Sequence, residues 1–363
     1  MIITHFRKET SERSEQQNWV LDELSASHAF YFAGFEGCNE NSLNQVTALL
    51  DRSSIDVSGS IDTPPPIEQV KGLIDKLEGH MLQGKINFCT LLRLPYTYIL
   101  YNYEYQFVLR YELMDGNPIL IERYPSFEAF SRWIQSIKQW ISNKWYRESP
   151  DLPEFDKALR RAGCAWPTNV DCIAFSNDNQ PVALIEFQNA KKTGVRNHSN
   201  LVYFLPIKDV YHGGYKVGPD EQRWRSQEIL RVQSGLQHLT IVWSQDEDII
   251  IVKQLYRVTF PDYSDKQKSP LYIFELGKLN TALQNKQKEA KQQLYASICA
   301  KYSSYYLINN NGTVNTIQVN PPLSYKQRSF PYLYIHKSPV ISKGEVQSKV
   351  EGYLCNPLLF LDS

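Results

Sequence analysis

The chain has 363 residues, of which 42% are hydrophobic and 21% are charged, a composition typical of a globular protein that buries a core. Its 39 basic and 39 acidic residues cancel, which argues against a surface coated in positive potential but leaves room for a local basic groove. No apolar run reaches about 18 residues and no apolar signal segment opens the chain, so neither a membrane partner nor secretion is expected. The six cysteines are scattered without a CxxC pair, which favours neither a zinc site nor a disulfide framework, and a cytoplasmic location is expected.

Residues 1–148 are expected to form an α+β region that is rich in strands and has no assigned role. Apolar spacing predicts helices over residues 44–50 and 67–82. The polar, turn-rich residues 53–63 predict a loop between these helices.

Residues 86–124 are rich in β-branched and aromatic residues, and they partly alternate with polar ones. This pattern predicts an antiparallel meander with a turn at residues 115–117, which read Asp-Gly-Asn. Apolar residues at three- and four-residue steps then predict a helix over residues 127–145. Two prolines within residues 149–153 predict a boundary there.

A second region is expected over residues 149–262. Its predicted elements, in order, are a helix over residues 154–162, strands over 170–175, 182–188 and 201–207, a helix over 220–236, and strands over 239–243 and 248–260. This alternation favours an α/β sandwich around a mixed sheet. A third region, residues 263–363, is expected to contain a long helix over 276–302 and a hairpin turn at Asn311-Gly312.

Two carboxylates lie inside predicted strands of the second region. Asp171 belongs to the strand over residues 170–175, and Glu186 belongs to the next strand. A charge in an apolar strand needs a reason, because its burial costs several kcal/mol unless it is paired or bound to a metal. Oxygen ligands on adjacent strands suit Mg²⁺, with Mn²⁺ as an alternative, and such an ion activates water for attack on a phosphodiester. Gln188 shares the face of Glu186 by the strand period.

Asp171 and the run Glu186-Phe187-Gln188 resemble the PD-(D/E)xK nuclease superfamily in its E-x-Q variant, over roughly residues 150–260. The resemblance implies an α/β, or α+β, restriction-endonuclease-like core with a mixed sheet flanked by helices. It also implies that Asp171, Glu186 and the backbone carbonyl of Phe187 bind the metal ion.

The third position of the family motif is usually Lys, which orients water and stabilises negative charge, and here it is Gln188. Lys191 and Lys192 are the candidates to supply the missing charge. The family also often has an acidic residue on the preceding helix, for which Glu154 fits best and Asp156 second.

In related nucleases the helix after the core strands often flanks the active site. Arg223 and Arg225 lie on this predicted helix and, together with Lys192, are expected to contact nucleic acid. The plainer interpretation of the helix is an amphipathic element with a solvated face.

These features lead to the hypothesis of a Mg²⁺-dependent endonuclease that acts on DNA rather than RNA, in restriction or anti-phage defence, as a homodimer or with a partner protein. One alternative is a catalytically degenerate nuclease fold that only binds nucleic acid or protein, which Gln188 favours. A second alternative is a scaffold subunit of a larger complex. In the structural alternatives, Asp171 caps a turn at a strand end and Glu186 is a buried, hydrogen-bonded side chain.

Overall fold

The computed structural model describes most of the chain as two compact units. The described residues are 1–8, 19–41, 43–138, 152–191, 194–198, 207–208, 215–216, 221–259, 307–308, 314–315 and 332–360. The first unit comprises Met1–Phe187 and Ile229–Leu236, and the second comprises Gln188–Glu228 and Gln237–Ser363. The predicted boundaries near residues 148 and 262 fall outside the described residues, so they stay predictions.

The first unit is built on a large mixed sheet. Its strands are β1 (Ile2–Arg7), β2 (Phe30–Glu40), β3 (Val46–Ser58), β4 (Tyr96–Tyr101), β5 (Val108–Met114), β6 (Asn117–Tyr124), β7 (Thr168–Ser176) and β8 (Pro181–Asn189). The neighbour order is β8-β7-β2-β3-β4-β5-β6, and β1 pairs with the far end of β3. Only the β3–β4 pair is parallel among these described strands. Strands β7 and β2 are therefore parts of one sheet, although the sequence assigned them to different regions.

Helices flank both faces of this sheet. The helices of the first unit are α1 (Trp19–Ser25), α2 (Ile67–Glu78), α3 (Leu82–Leu91), α4 (Phe127–Lys138) and α5 (Glu154–Arg161). Side chains alternate along β4, so Tyr96, Tyr98 and Leu100 pack in a core with α2 and α3, whereas Ile99 and Tyr101 pack in a core with α4 and α5. The predicted class, α/β with a mixed sheet flanked by helices, is confirmed.

Several local predictions are confirmed because their signals are local. Helix α2 begins after Pro66, α4 begins at Phe127, and α5 follows Pro153. Beyond Lys138, the predicted helix over residues 127–145 lies outside the described residues. The meander is formed by β4, β5 and β6, and positive φ angles at Asp115 and Gly116 fit the tight turn between β5 and β6.

Three predictions in the first region are wrong. Residues 44–50 are not helical and residues 53–58 are not a loop, because residues 46–58 form β3. The start of the predicted meander, residues 86–91, lies in α3. Strand β3 is buried on both faces between its neighbours, so it lacks the alternation that identifies a half-exposed strand.

Strand β3 contains polar residues, and Asp51 among them forms a buried ion pair. Lys85 Nζ lies 2.8 Å from Asp51 Oδ2 and 2.6 Å from Glu78 Oε2, and the Tyr96 hydroxyl donates to Asp51 at 2.7 Å. Burial alone would raise the pKa of Asp51, but Lys85 and Lys8 outweigh it and hold this pKa below its ordinary value. The pairing offsets the cost of burying these charges and connects α2 and α3 to the sheet.

Arg52, the next residue of β3, points to the opposite face of the sheet. Its guanidinium donates two hydrogen bonds to the carboxylate of Asp156 on α5 and lies 4.3 Å from the ring centroid of Trp166. This buried pair fixes α5 against the sheet, just before the chain enters β7.

The described strands of the second unit pair antiparallel with one another. The elements of this unit are β9 (Ile207–Lys208), β10 (Tyr215–Lys216), β11 (Gln237–Trp243), β12 (Ile249–Thr259), β13 (Leu307–Ile308), β14 (Val314–Asn315), β15 (Tyr332–Lys337), β16 (Ile341–Ser342) and the helix α7 (Val346–Cys355). Helix α6 (Glu221–Ser234) begins in this unit and ends in the first. Strand β12 pairs with β11, β15 and β16.

Predictions for the second unit are confirmed where residues are described. The helix predicted over residues 220–236 is α6, and the two strands predicted after it are β11 and β12. Asn311-Gly312 lies outside the described residues, but β13 and β14 on either side pair antiparallel, as a hairpin requires. The predicted helix over residues 276–302 and most of the strand over 201–207 also lie outside them. Every helix in the described part of the chain is too short or too polar to span a bilayer.

A buried lysine lies in the sheet of the second unit. Lys253 on β12 has its Nζ 3.0 Å from His198 Nδ1 and 3.2 Å from the His198 carbonyl oxygen, and it stands opposite Lys337 of β15. Burial and the charge of Lys337 lower the pKa of Lys253 from 10.5 to about 7. Burial and the charges of Lys253 and Lys337 lower the pKa of His198 to about 3.

We expect Lys253 to make the stability of the protein depend on pH. Since its pKa is about 7 when folded and 10.5 is the ordinary value, the unfolded chain binds the extra proton between these pH values. The contribution of Lys253 to the free energy of unfolding then falls by about 1 kcal/mol for each unit of pH lowered in this range. The Lys253→Met variant should lack this slope in calorimetric unfolding from pH 7 to pH 10.

The control for this prediction is Lys343→Met, which removes an exposed lysine of the same unit. We expect it to keep the wild-type slope. Parallel stability curves for the wild type and Lys253→Met would contradict the prediction.

Candidate metal centre

The two carboxylates predicted from the sequence lie on the hairpin formed by β7 and β8. Cys172 pairs with Ile185 and Ile173 pairs with Leu184 in this antiparallel ladder. Continuing the register by one position places Asp171 opposite Glu186. Side chains of directly opposite residues project from the same face of a sheet, with their Cβ atoms about 5 Å apart.

Both carboxylates are buried, as the sequence indicated. The exposed fraction is 7% for Asp171 and 2% for Glu186, and Phe187 is 9% exposed. The part of the hairpin between its turn and the two acids, Cys172–Phe175 and Ala183–Ile185, is apolar and equally buried, so the acids stand at the end of a hydrophobic ladder. Two carboxylates placed side by side in this way can share a divalent cation.

A β-bulge sets the position of Asp171. Ala33 of β2 pairs with Ile173 and Phe35 pairs with Val170, so Asp171 and Cys172 together stand opposite the single residue Gly34. A bulge of this kind redirects a side chain relative to the regular alternation of the strand, and bulges are frequent beside active sites.

Gly34 permits the close contact at this bulge. A Cβ atom at this position would lie 2.4 Å from the carbonyl oxygens of both Val170 and Asp171. These are backbone atoms of a central strand, which cannot swing away as a flexible side chain would. Glycine is therefore the residue that lets β2 pair with β7 next to Asp171.

Hydrogen bonds hold both oxygens of Asp171. The side-chain amide of Asn169 donates to Oδ1 at 2.7 Å, and the backbone N–H of Phe187 donates to Oδ2 at 3.2 Å. The second bond connects the carboxylate directly to the residue that follows Glu186. A carboxylate oxygen has two lone pairs, so these two bonds alone do not exhaust the capacity of either oxygen to bind a ligand.

The chemistry of these donors fits a hard divalent cation. Carboxylate and carbonyl oxygens are preferred by Mg²⁺, which commonly binds one or two carboxylates together with water and substrate phosphate oxygens. Among the described residues, no group of three or more His, Cys, Asp and Glu side chains is arranged to hold a metal. An ion at Asp171 and Glu186 would therefore take its other ligands from the Phe187 carbonyl, water or substrate.

The predicted residues beyond Glu186 lie at and after the end of β8. Gln188 is half-buried and is the penultimate residue of the strand. Lys191 is exposed, and its backbone N–H donates to the Asn189 side chain at 2.8 Å. Lys192 lies outside the described residues. The catalytic roles of Gln188, Lys191 and Lys192 stay predictions.

The two acidic candidates on α5 differ in their environment. Glu154 is at the start of the helix, its side chain is 63% exposed, and it forms an ion pair with Lys157 at 2.7 Å. Asp156 is buried in its pair with Arg52, so its carboxylate already has a structural role. A role for Glu154 beside the metal ion stays a prediction.

The proposed nucleic-acid contacts lie on α6. Arg223 is half-buried, and the side chain of Arg225 is outside the described residues. Trp224 between them is buried, with its ring centroid 6.1 Å from that of His238. Trp224 therefore fixes the helix through a buried contact. The contacts of Arg223 and Arg225 with nucleic acid stay predictions.

Sequence reasoning missed two residues of the site. Asn169 precedes Asp171 by two positions, so the strand period alone would have placed them on one face. Gly34 gave no signal, because its importance depends on the pairing of β2 with a strand more than a hundred residues away.

Comparisons with known proteins identify no relative. No protein-family model matches the chain, and no curated protein or solved structure shows significant similarity to it.

We expect Gly34→Ala to destabilise the first unit by about 3 kcal/mol or more, because the new methyl group overlaps two backbone carbonyl oxygens. Urea unfolding of the full chain measures this loss. Gly72→Ala is the matched control, since Gly72 lies inside α2 and a methyl group added there would meet no atom within 4 Å. That change should stabilise the helix by roughly 0.5–1 kcal/mol. Equal stability of the wild type and Gly34→Ala would refute the role of the close contact.

Proposed function

We propose that the protein is a metal-dependent endonuclease that hydrolyses phosphodiester bonds of DNA, with Mg²⁺ or Mn²⁺ as its ion. The observation that carries this proposal is the burial of Asp171 and Glu186 at the end of the β7–β8 hairpin, on one face by register. Oxygen ligands that converge in this way favour a hard divalent cation.

The order of elements also supports the proposal. Helix α5 precedes the hairpin, and α6 and β11 follow it in the chain. This succession is the one expected for a restriction-endonuclease-like core of the PD-(D/E)xK type. The finer assignment of the mixed sheet to that fold family is part of the proposal.

Each residue of the motif has a proposed role. Asp171 and Glu186 hold the ion, together with the Phe187 carbonyl. When bound, the ion supplies Lewis-acid chemistry, which polarises a phosphoryl oxygen and lowers the pKa of a water molecule. Gln188 orients the attacking water through its amide, and Lys191 or Lys192 stabilises the charge that develops on the phosphoryl group.

The biological role and the oligomeric state are proposed from the resemblance to the PD-(D/E)xK nucleases. We place the enzyme in restriction or anti-phage defence, acting as a homodimer or with a partner protein. A reducing cytoplasm fits the five cysteines of the described residues, since they form no disulfide with one another.

A second candidate function is a nuclease fold that binds nucleic acid or a protein partner without cutting. Gln188 favours it, because an amide replaces the usual lysine and supplies no positive charge. The two candidates differ in one property, which is metal-dependent cleavage.

Cleavage of plasmid DNA, single-stranded DNA and RNA with Mg²⁺ or Mn²⁺ tests the proposal. We expect wild-type protein to cut plasmid DNA, and Asp171→Asn or Glu186→Gln to lower the rate by more than the roughly 10–100-fold cost of losing an outer-shell group. The matched control is Asp178→Asn, which changes an exposed carboxylate in the turn of the same hairpin.

Two outcomes would count against the proposal in different ways. If Glu186→Gln cuts DNA with metal as fast as the wild type does, the assignment of the metal site to Asp171 and Glu186 is refuted. Wild-type protein that binds DNA but cuts none of the three substrates would support the second candidate.

A further inference from the structure

We infer that Asn169 is a positioning residue for the Asp171 carboxylate and that it sets the metal affinity of the β7–β8 site. This inference rests on the proposed function, because it concerns the same ion. It assigns to Asn169 no contact with substrate and no part in the chemical step.

The contact itself is short and directional. The Asn169 amide donates to Asp171 Oδ1 at 2.7 Å, and the two residues are two positions apart on β7. A hydrogen bond to an ionised carboxylate is stronger than one between neutral groups. The bond therefore restrains the terminal torsion of Asp171, which is otherwise broad for this side chain.

The second oxygen is restrained from the neighbouring strand. Oδ2 accepts the Phe187 backbone N–H at 3.2 Å, a longer bond than that of Asn169. The two bonds together restrain the plane of the carboxylate relative to β8. Loss of the Asn169 bond removes the restraint on Oδ1, so the alignment of the carboxylate toward Glu186 becomes less well defined.

Metal affinity separates this role from a purely structural one. Asn169 is exposed, whereas Asp171 is 7% exposed, and the hydrogen bond between them is partly buried. Loss of this bond should cost about 1–3 kcal/mol of stability, because a buried acceptor loses a donor. Groups that orient metal ligands, in contrast, typically change metal affinity by about 10–100-fold when they are removed. The effect of Asn169 should thus be seen in metal affinity, beyond the loss of stability.

The test uses the full chain and Mn²⁺ alone as the probe. We expect Asn169→Ala to raise the Kd for Mn²⁺ about 10-fold, measured from the electron paramagnetic resonance signal of free Mn²⁺. Saturating Mn²⁺ should restore plasmid cleavage to near the wild-type rate, and the metal-free protein should stay folded, with a Tm lowered by less than about 10 °C.

Asn177→Ala is the matched control. Asn177 lies in the turn of the same hairpin, and its amide donates to the His28 carbonyl at 2.7 Å, the same donor length as that of Asn169. This variant should bind Mn²⁺ as the wild type does.

The outcomes separate this inference from the proposed function. If Asn169→Ala binds Mn²⁺ with wild-type affinity, or if it loses Tm and activity equally at all Mn²⁺ concentrations, the positioning role is overturned while the nuclease proposal stands. If wild-type protein binds no more Mn²⁺ than Glu186→Gln and cuts no substrate, the nuclease proposal fails and the inference fails with it.

Discussion

The close approach of β2 to β7 at Gly34 is the constraint on which the candidate site depends. Because this residue has no side chain, the carbonyl groups of Val170 and Asp171 can lie against β2, and β7 can carry one extra residue there. The resulting bulge sets the direction of Asp171 one residue beyond the last pair of the β7–β8 ladder, Cys172 with Ile185, where continuing the register reaches Glu186. A local packing requirement thus determines where the two carboxylates stand, and the hydrogen bonds from Asn169 and Phe187 then fix the orientation of the first of them.

Among the described residues of the first unit, three groups of buried ionisable side chains stand out, two on β3 and one on the β7–β8 hairpin. Asp51 lies in a network with Lys85, and Arg52 on the opposite face is paired with Asp156. These two pairs hold helices on both sides of β3, and their charges are balanced by neighbouring side chains. The third group lies at the end of the β7–β8 hairpin, where continuing the register puts two carboxylates opposite each other. Such an arrangement is typical of a cation site, and it explains why the hairpin, rather than β3, is proposed as the functional part of the sheet.

The sequence predicted those features whose causes are local. Proline and glycine mark the ends of α5, alternating and apolar runs identify β7 and β8, and the acids within them indicate the site. Strand β3 was mistaken for a helix and a loop, because it is buried on both faces and its polar residues find partners on distant elements. The role of Gly34 could not be predicted from the sequence for a similar reason, because it depends on the register between β2 and β7, which are far apart in the chain. The strand period could have placed Asn169 on the same face as Asp171. The hydrogen bond from its amide to the Asp171 carboxylate becomes evident only in the structure, because it depends on the rotamer of Asp171.

The most direct test of the proposed metal centre is a crystal structure of the full chain with Mn²⁺, located by its anomalous scattering, and a second structure with Mg²⁺. We predict one ion that is bound by Asp171, Glu186 and the Phe187 carbonyl, with Mg²⁺–oxygen distances of about 2.0–2.1 Å. The Asn169 amide should still donate to Asp171 in that structure. Crystals of active, metal-saturated protein in which the ion lies elsewhere, and in which Asp171 and Glu186 bind only protein groups, would contradict the assignment.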